Sequence, residues 1–299
     1  MSDNPAKPHP LAFAALLVGS TSLAFGPWLV RLADVGPVAT GFWRLALAIP
    51  FLLLIAPLIG QPIRLPRRAI AVTVAIAAAF YAADLAAWNA GILLTKLGNA
   101  TLFGNISSFA FAAWGLWLVR RWPSPMQAAA LLLAAAGAAM LMASSAELSA
   151  SHLRGDLLAL LAGLLYTGYL IGIERARGEL AAIPLLLMAT VVGAALLLPL
   201  ALVLGEQVWP RDWTPLLIFA LSSQVLGQGL LVYAIGALPP LVVGLALLTQ
   251  PAVAGFIGWA VYGETLSLLD WLGTAAIAVA LVLVRLPGRG LQPSADRTS

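Results

Sequence analysis

The sequence predicts an all-α polytopic membrane protein: ten transmembrane helices in two inverted five-helix repeats, with both termini cytoplasmic. Three observations predict it. Apolar residues make up 62% of the 299 positions and charged residues only 9%, and the mean hydropathy is +0.97. Soluble domains are about 25% charged, so this chain lacks the polar shell that water requires and its solvent is lipid. The apolar runs recur at about 20 residues, the length a ~30 Å hydrocarbon core demands of a helix. Lys and Arg are concentrated in alternate loops, the bias that orients membrane helices.

Taken in order, the expected spans are 11–33, 37–59, 69–94, 98–119, 126–145, 155–175, 181–204, 214–236, 239–262 and 266–285. Turn residues and charges separate them: "ADVGP" after the first, "GQPIRLPRR" after the second, "RRWPSP" after the fourth, "ERARGE" after the sixth and "EQVWPRDW" after the seventh. The segment after "MSDNPAKPHP" is too long for a signal h-region and lacks a small-residue cleavage site, so it is expected to stay as the first helix. With a cytoplasmic N-terminus, eleven Lys and Arg fall inside and four (Arg31, Lys96, Arg154, Arg211) outside, with Arg44 within a span. The absence of cysteine excludes disulfides and thiolate metal sites. The net charge of +4 calls for no nucleic-acid partner.

The chain also repeats. Moved by 143 positions, "NISSFAFAAWGLWLVRR" (105–121) overlies "LTQPAVAGFIGWAVYGE" (248–264), with Gly115 on Gly258. Identity is low, but each strip ends one span and precedes a short turn and another apolar span. Halves 1–149 and 150–290, followed by a polar cytoplasmic tail 291–299, then hold five spans each. An odd number inverts the second half relative to the first, the architecture of carriers that bind substrate near the midplane between repeats.

Several strips resemble a known family. Gly19-Ser20 in the first span, "FWRLALA" with Arg44 in the second, Gly155-Asp156 ahead of "LLALLAGLLYTGY", and "TQPAVAGFIGWAVYGETLS" with Pro251 and Gly263-Glu264 resemble the EamA-type transporters of the drug/metabolite transporter superfamily. Within it, the chain is most similar to YddG-type exporters of aromatic and other amino acids. One departure stands out: the first-half counterpart of Pro251 is Ser108, where the family often has a second proline. The resemblance implies that spans 3, 4, 8 and 9 surround a central cavity. It also implies export of small metabolites, amino acids including aromatic ones, across the bacterial inner membrane. The expected partners are an amino-acid-like solute and the bilayer, with no cofactor or metal and a monomeric chain.

Candidate binding residues come from polar groups within apolar spans. Asp84 is the central one, because a charge at that depth costs about 2.5–3.5 kcal/mol on insertion scales. It lies ~15 Å and Arg44 ~10 Å from the outer end of their spans at 1.5 Å per residue. Three readings of Asp84 are open: a structural pair with Arg44, a cavity carboxylate that meets a substrate amine or carries a proton, or a hydrated group without a role. Tyr81, Asp84 and Trp88 share a helix face. Thr101, Asn105 and Ser108 form a stripe in the fourth span, Gln224 and Gln228 in the eighth, and Tyr166 and Tyr169 in the sixth; Thr249 and Gln250 interrupt the ninth. Such residues also serve as interhelical glue. The expected substrate contacts are Tyr81, Asp84, Trp88, Asn105, Ser108, Tyr166, Tyr169, Gln224, Gln228 and Gln250. Arg44, Pro27 and Pro251 are expected to be structural or gating, since proline removes a backbone donor and bends a helix.

Other classes fit less well. The two histidines, His9 and His152, fall in a tail and a loop, and the sequence holds neither an HExxH nor a GxSxG motif; an intramembrane enzyme is not expected. A channel calls for rings of charge or of carbonyls, whereas the polar stripes here are scattered over both halves. A carrier for other metabolites or drugs is the alternative within the superfamily.

Overall fold

The computed structural model describes residues 10–95, 97–120, 122–143, 151–262 and 267–285, and among them every regular element is helical. Lys7, His9, Lys96, Arg121, Arg289 and Arg297, the Gly263-Glu264 step and the tail 291–299 lie outside the described residues.

The helices are α1 (Pro10–Ala24), α2 (Gly26–Leu32), α3 (Pro37–Ala46), α4 (Ala48–Leu58), α5 (Arg68–Leu94), α6 (Leu97–Gly104), α7 (Ile106–Val119) and α8 (Pro125–Ala143). They continue as α9 (Leu153–Arg177), α10 (Ala182–Val203), α11 (Thr214–Phe219), a π-helical segment Ala220–Gln228, α12 (Gly229–Ile235), α13 (Pro240–Leu247), α14 (Thr249–Tyr262) and α15 (Leu268–Arg285). The ends of the helical stretches fall within two residues of those expected from hydropathy. Seven stretches among the described residues are long and apolar enough to cross a membrane: Leu11–Leu32, Pro37–Leu58, Arg68–Leu94, Leu153–Arg177, Ala182–Val203, Thr214–Ile235 and Pro240–Ile257. Three shorter apolar helices, Ile106–Val119, Pro125–Leu141 and Leu268–Val284, accompany them.

Local chemistry explains where the helices break. The first break sits at Phe25, with Gly26-Pro27 opening α2. α3 and α4 part at Leu47, three residues ahead of Pro50, and α13 and α14 part at Leu248, three residues ahead of Pro251. Pro251 therefore sits in the first turn of α14, where a missing N–H is tolerated. α6 and α7 part at Asn105 without any proline; the Asn105 Nδ2 donates to the Thr101 carbonyl at 2.6 Å. Reciprocal side-chain caps start two helices. Ser124 and Gln127 open α8, with Ser124 N donating to Gln127 Oε1 at 2.9 Å and Gln127 N to Ser124 Oγ at 3.2 Å. Ser267 and Asp270 open α15 in the same way, at 2.7 and 3.3 Å. The cap of α3 comes from elsewhere: the Glu206 carboxylate accepts from the amides of Val38 (3.2 Å) and Ala39 (2.8 Å), placing negative charge at a helix N-terminus.

These features recur at one interval. α1 and α9, α6 and α13, α7 and α14, and α8 and α15 each begin 143 residues apart. The breaks at Asn105 and Leu248 and the caps at Ser124–Gln127 and Ser267–Asp270 keep the same offset.

Small residues let the helices approach, as lipid-embedded bundles require. α5 packs along α9, α1 against the π segment and α12, α7 against α13, α8 against α15 and α3 against α10. At the α8–α15 crossing, a Cβ on Gly137 or on Gly273 would come within 2.7 Å of the other's carbonyl oxygen. At the α7–α13 crossing, a Cβ on Gly244 would stand 2.5 Å from the Ser108 carbonyl oxygen. Substituting Gly244→Ala is expected to cost about 1–3 kcal/mol of stability, the usual penalty for overpacking, and to lower the thermal unfolding midpoint in detergent. Gly178→Ala, whose Cβ would meet nothing closer than the Arg175 carbonyl oxygen at 3.6 Å, is expected to leave that midpoint unchanged.

Candidate substrate-binding cavity

An open cavity lies between α1–α2, α3, α5, α6–α7, α9, the π segment, α13 and α14. Its wall on α5 is Tyr81, Asp84, Leu85 and Trp88; on α6–α7, Thr101, Gly104, Asn105, Ser107 and Ser108. These positions, with Gly26-Pro27 and Gly163, place the cavity in the half of the bundle nearer the ends of α2 and α5 and the start of α9.

Eight of the ten expected contacts line it: Tyr81, Asp84, Trp88, Asn105, Ser108, Tyr166, Gln228 and Gln250. Tyr169 and Gln224 do not line it; they sit beneath, wholly buried. Tyr169 stacks on Tyr81 with ring centroids 4.4 Å apart and on Tyr166 at 5.6 Å. Gln228 ties this layer together, accepting from Tyr169 OH at 3.4 Å and donating to Tyr166 OH at 3.0 Å. Gln224 Oε1 accepts from both Tyr81 OH (2.7 Å) and Arg44 Nε (3.2 Å), and its Nε2 donates to Thr190 Oγ1 (2.9 Å). Both glutamines belong to the π segment, whose wider turn keeps them on one face; π turns occur often at functional sites. Pro251 stands outside the lining, while Pro27 and Arg44, expected as structural or gating residues, are part of it.

Arg44 and Asp84 are both more than nine-tenths buried, with relative exposures of 6% and 8%. No ion pair joins them: no Arg44 nitrogen comes within 4.0 Å of an Asp84 oxygen. Asp84 makes no hydrogen bond with the protein, and Arg44 makes one, through Nε to Gln224. The Arg44 guanidinium carbon lies 4.8 Å from the Phe219 ring centroid and 5.8 Å from that of Tyr81, cation–π contacts worth about 0.5–2 kcal/mol each. Asp84 lines the cavity without a direct contact to Arg44. Among the described residues no cluster of His, Cys, Asp and Glu could hold a metal ion.

Other polar residues work as structure. Thr95 Oγ1 donates to Asp156 Oδ1 at 2.6 Å, tying the end of α5 to the start of α9, where a Cβ on Gly155 would lie 2.7 Å from Thr95 Cβ. Ser20 Oγ donates to the Ala246 carbonyl at 3.1 Å and shares a 2.9 Å hydrogen bond with Thr249 Oγ1 across the α13–α14 break. At the opposite end of the bundle, Arg177 Nε donates to the Val232 carbonyl (2.9 Å), Ile183 N to Gln61 Oε1 (2.9 Å), and Arg67 pairs with Glu179. These ties hold α4, α5, α9, α10 and α12 together at the end away from the cavity. Sequence spacing missed Ser107, Gly104 and Gly163, because small residues carry no recognition signal until a neighbour is known. A Cβ on Gly163 would stand 2.6 Å from the Gly104 carbonyl oxygen.

Comparison with known proteins agrees with this architecture. A profile of the EamA-like transporter family matches twice, over residues 9–143 and 153–286. The chain is 29% identical over 276 residues to the threonine/homoserine exporter RhtA of Escherichia coli K12, covering 90% of each protein. RhtA of strain CFT073 and of Escherichia coli O157:H7 match to the same extent. A solved crystal structure with 17% identity superposes with a TM-score of 0.74 over 92% of this chain and 97% of its own. That likeness concerns the fold.

Because the native chain has no cysteine, accessibility can be read one site at a time. Thr101→Cys and Gln250→Cys, on the cavity wall, are expected to react with a water-soluble maleimide in the folded, detergent-solubilised protein. Ala189→Cys, fully buried, is expected to react only after denaturation.

Proposed function

The chain belongs to the EamA-like transporter family, and we propose that it exports amino acids, aromatic ones included, from the bacterial cytoplasm across the inner membrane. It is a multi-pass membrane transporter rather than an enzyme. The observation that carries the substrate reading is the Asp84 carboxylate, which lines the cavity and makes neither a hydrogen bond nor an ion pair within 4.0 Å in the protein. A substrate ammonium group is the natural counter-ion. Tyr81, Trp88 and Tyr166 provide faces for an apolar or aromatic side chain, and Asn105, Gln228 and Gln250 provide hydrogen bonds. The threonine/homoserine export named for the similar protein RhtA supports the amino-acid class.

The mechanism is alternating access between two inverted halves, 1–149 and 150–290, with 291–299 as a tail. The seven long apolar stretches and three shorter ones would together make ten crossings. The 143-residue offset shared by helix starts, breaks and caps supports the duplication. The Lys and Arg bias supports cytoplasmic termini. On that orientation the Arg67–Glu179 end is cytoplasmic, and the cavity lies in the periplasmic half. The working unit is a monomer.

The test is exchange of labelled amino acids in proteoliposomes. Uptake is expected to saturate and to accelerate when vesicles are preloaded with unlabelled substrate, and Asp84→Asn is expected to lower it about tenfold, a change of roughly 1.4 kcal/mol. Wild-type exchange by the variant would overturn the role of Asp84, and linear, unsaturable flux would favour a channel. For topology, Arg67→Cys is expected to be labelled by an impermeant reagent from the cytoplasmic side of membrane vesicles and not from the periplasmic side.

A further inference from the structure

We infer that the cavity reads both charges of its substrate, with Asp84 receiving the ammonium and Arg44 the carboxylate, so that it takes zwitterions and rejects molecules carrying only one of the two groups. This rests on the amino-acid reading above and names the feature that selects within it. Arg44 was expected on sequence grounds as a structural or gating residue. The geometry gives it a different place. It lines the same cavity as Asp84, and it is 6% exposed. Its Nε is held by Gln224, while Nη1 and Nη2 donate to nothing in the protein. Neither terminal nitrogen is among the fully enclosed polar atoms that lack a partner, so both retain contact with the cavity. A guanidinium fixed through Nε keeps its outer edge for the two-point contact with a carboxylate that arginine geometry favours.

The pair stays apart for a physical reason. Arg44 is held in place by the Gln224 hydrogen bond and by the Phe219 and Tyr81 rings, and its nitrogens remain more than 4.0 Å from the Asp84 oxygens. Two opposite charges so placed leave a gap in a region of low dielectric. An α-amino acid presents opposite charges on two groups of one carbon and satisfies both residues while leaving the site neutral. An amine alone leaves the Arg44 charge unmatched; a carboxylate alone leaves Asp84 unmatched. A buried charge without its partner is heavily penalised.

The experiment uses a matched set in the proteoliposome exchange assay: labelled threonine, with 1-aminopropan-2-ol (threonine without its carboxylate) and 3-hydroxybutyrate (threonine without its amine) as competitors. Phenylalanine with phenethylamine and 3-phenylpropionate forms a second set. Unlabelled amino acid is expected to compete, and each half-molecule to need at least about tenfold higher concentration for the same inhibition. Asp84→Asn is expected to narrow the gap for the carboxylate analogue and Arg44→Gln for the amine analogue, each without the other. A half-molecule that competes as well as its parent amino acid overturns the zwitterion reading while amino-acid export stands. Exchange of no amino acid by the wild-type protein overturns both. The wild-type competition series decides the matter even if Arg44→Gln does not fold.

Discussion

The centre of the molecule depends on one amide. Gln224 accepts from Arg44 on α3 and Tyr81 on α5 and donates to Thr190 on α10, so a side chain of the π segment joins three other helices. In water, losing such a bond is softened by solvent. In a bundle surrounded by lipid, an orphaned donor or acceptor keeps its full desolvation cost, about 1–3 kcal/mol each. Three partners would be orphaned together. The position of the Tyr81 ring, and with it the tyrosine layer, follows from this bond, as does the direction in which Arg44 points.

That arrangement also explains how polar groups coexist with so apolar a chain. The amide is spent wholly on structure, and so is most of Gln228. Arg44 and Asp84 beside them are not. Gln224 and Tyr169 lie beneath the cavity, and Arg44 and Asp84, with capacity left over, line it.

The sequence carried the course of the chain well, because hydropathy and helix length in lipid leave little freedom: α5 begins and ends within one residue of its expected span. It also placed Tyr81, Asp84 and Trp88 on one face, which helical periodicity alone determines. Rotation of one helix about its axis relative to the next is a different quantity. Arg44 and Asp84 were matched in depth, yet they do not touch, since depth fixes position along an axis and not direction around it. Tyr169 and Gln224 were grouped with the binding residues for the same reason; packing against α5 and α10 turns them beneath the cavity. The π segment left no spacing signal, because an i, i+4 pair shares a face in either kind of helix. The helix break at Asn105 was likewise invisible, because it is made by a side-chain bond to the preceding turn and not by proline.

The two breaks 143 residues apart therefore differ in chemistry. At Leu248 the break precedes a residue without an N–H, Pro251, and the Ala246 carbonyl is met by the Ser20 hydroxyl, which shares a second bond with Thr249. At Asn105 every backbone donor is present: Ser108 N bonds the Asn105 carbonyl at 3.0 Å, and the Gly104 carbonyl accepts from Ser107 Oγ at 3.0 Å. Equivalent points of the 143-residue interval are thus interrupted once by a ring closed onto the backbone and once by side chains that take up its carbonyls, so substitutions at Pro251 and at Asn105 remove different bonds.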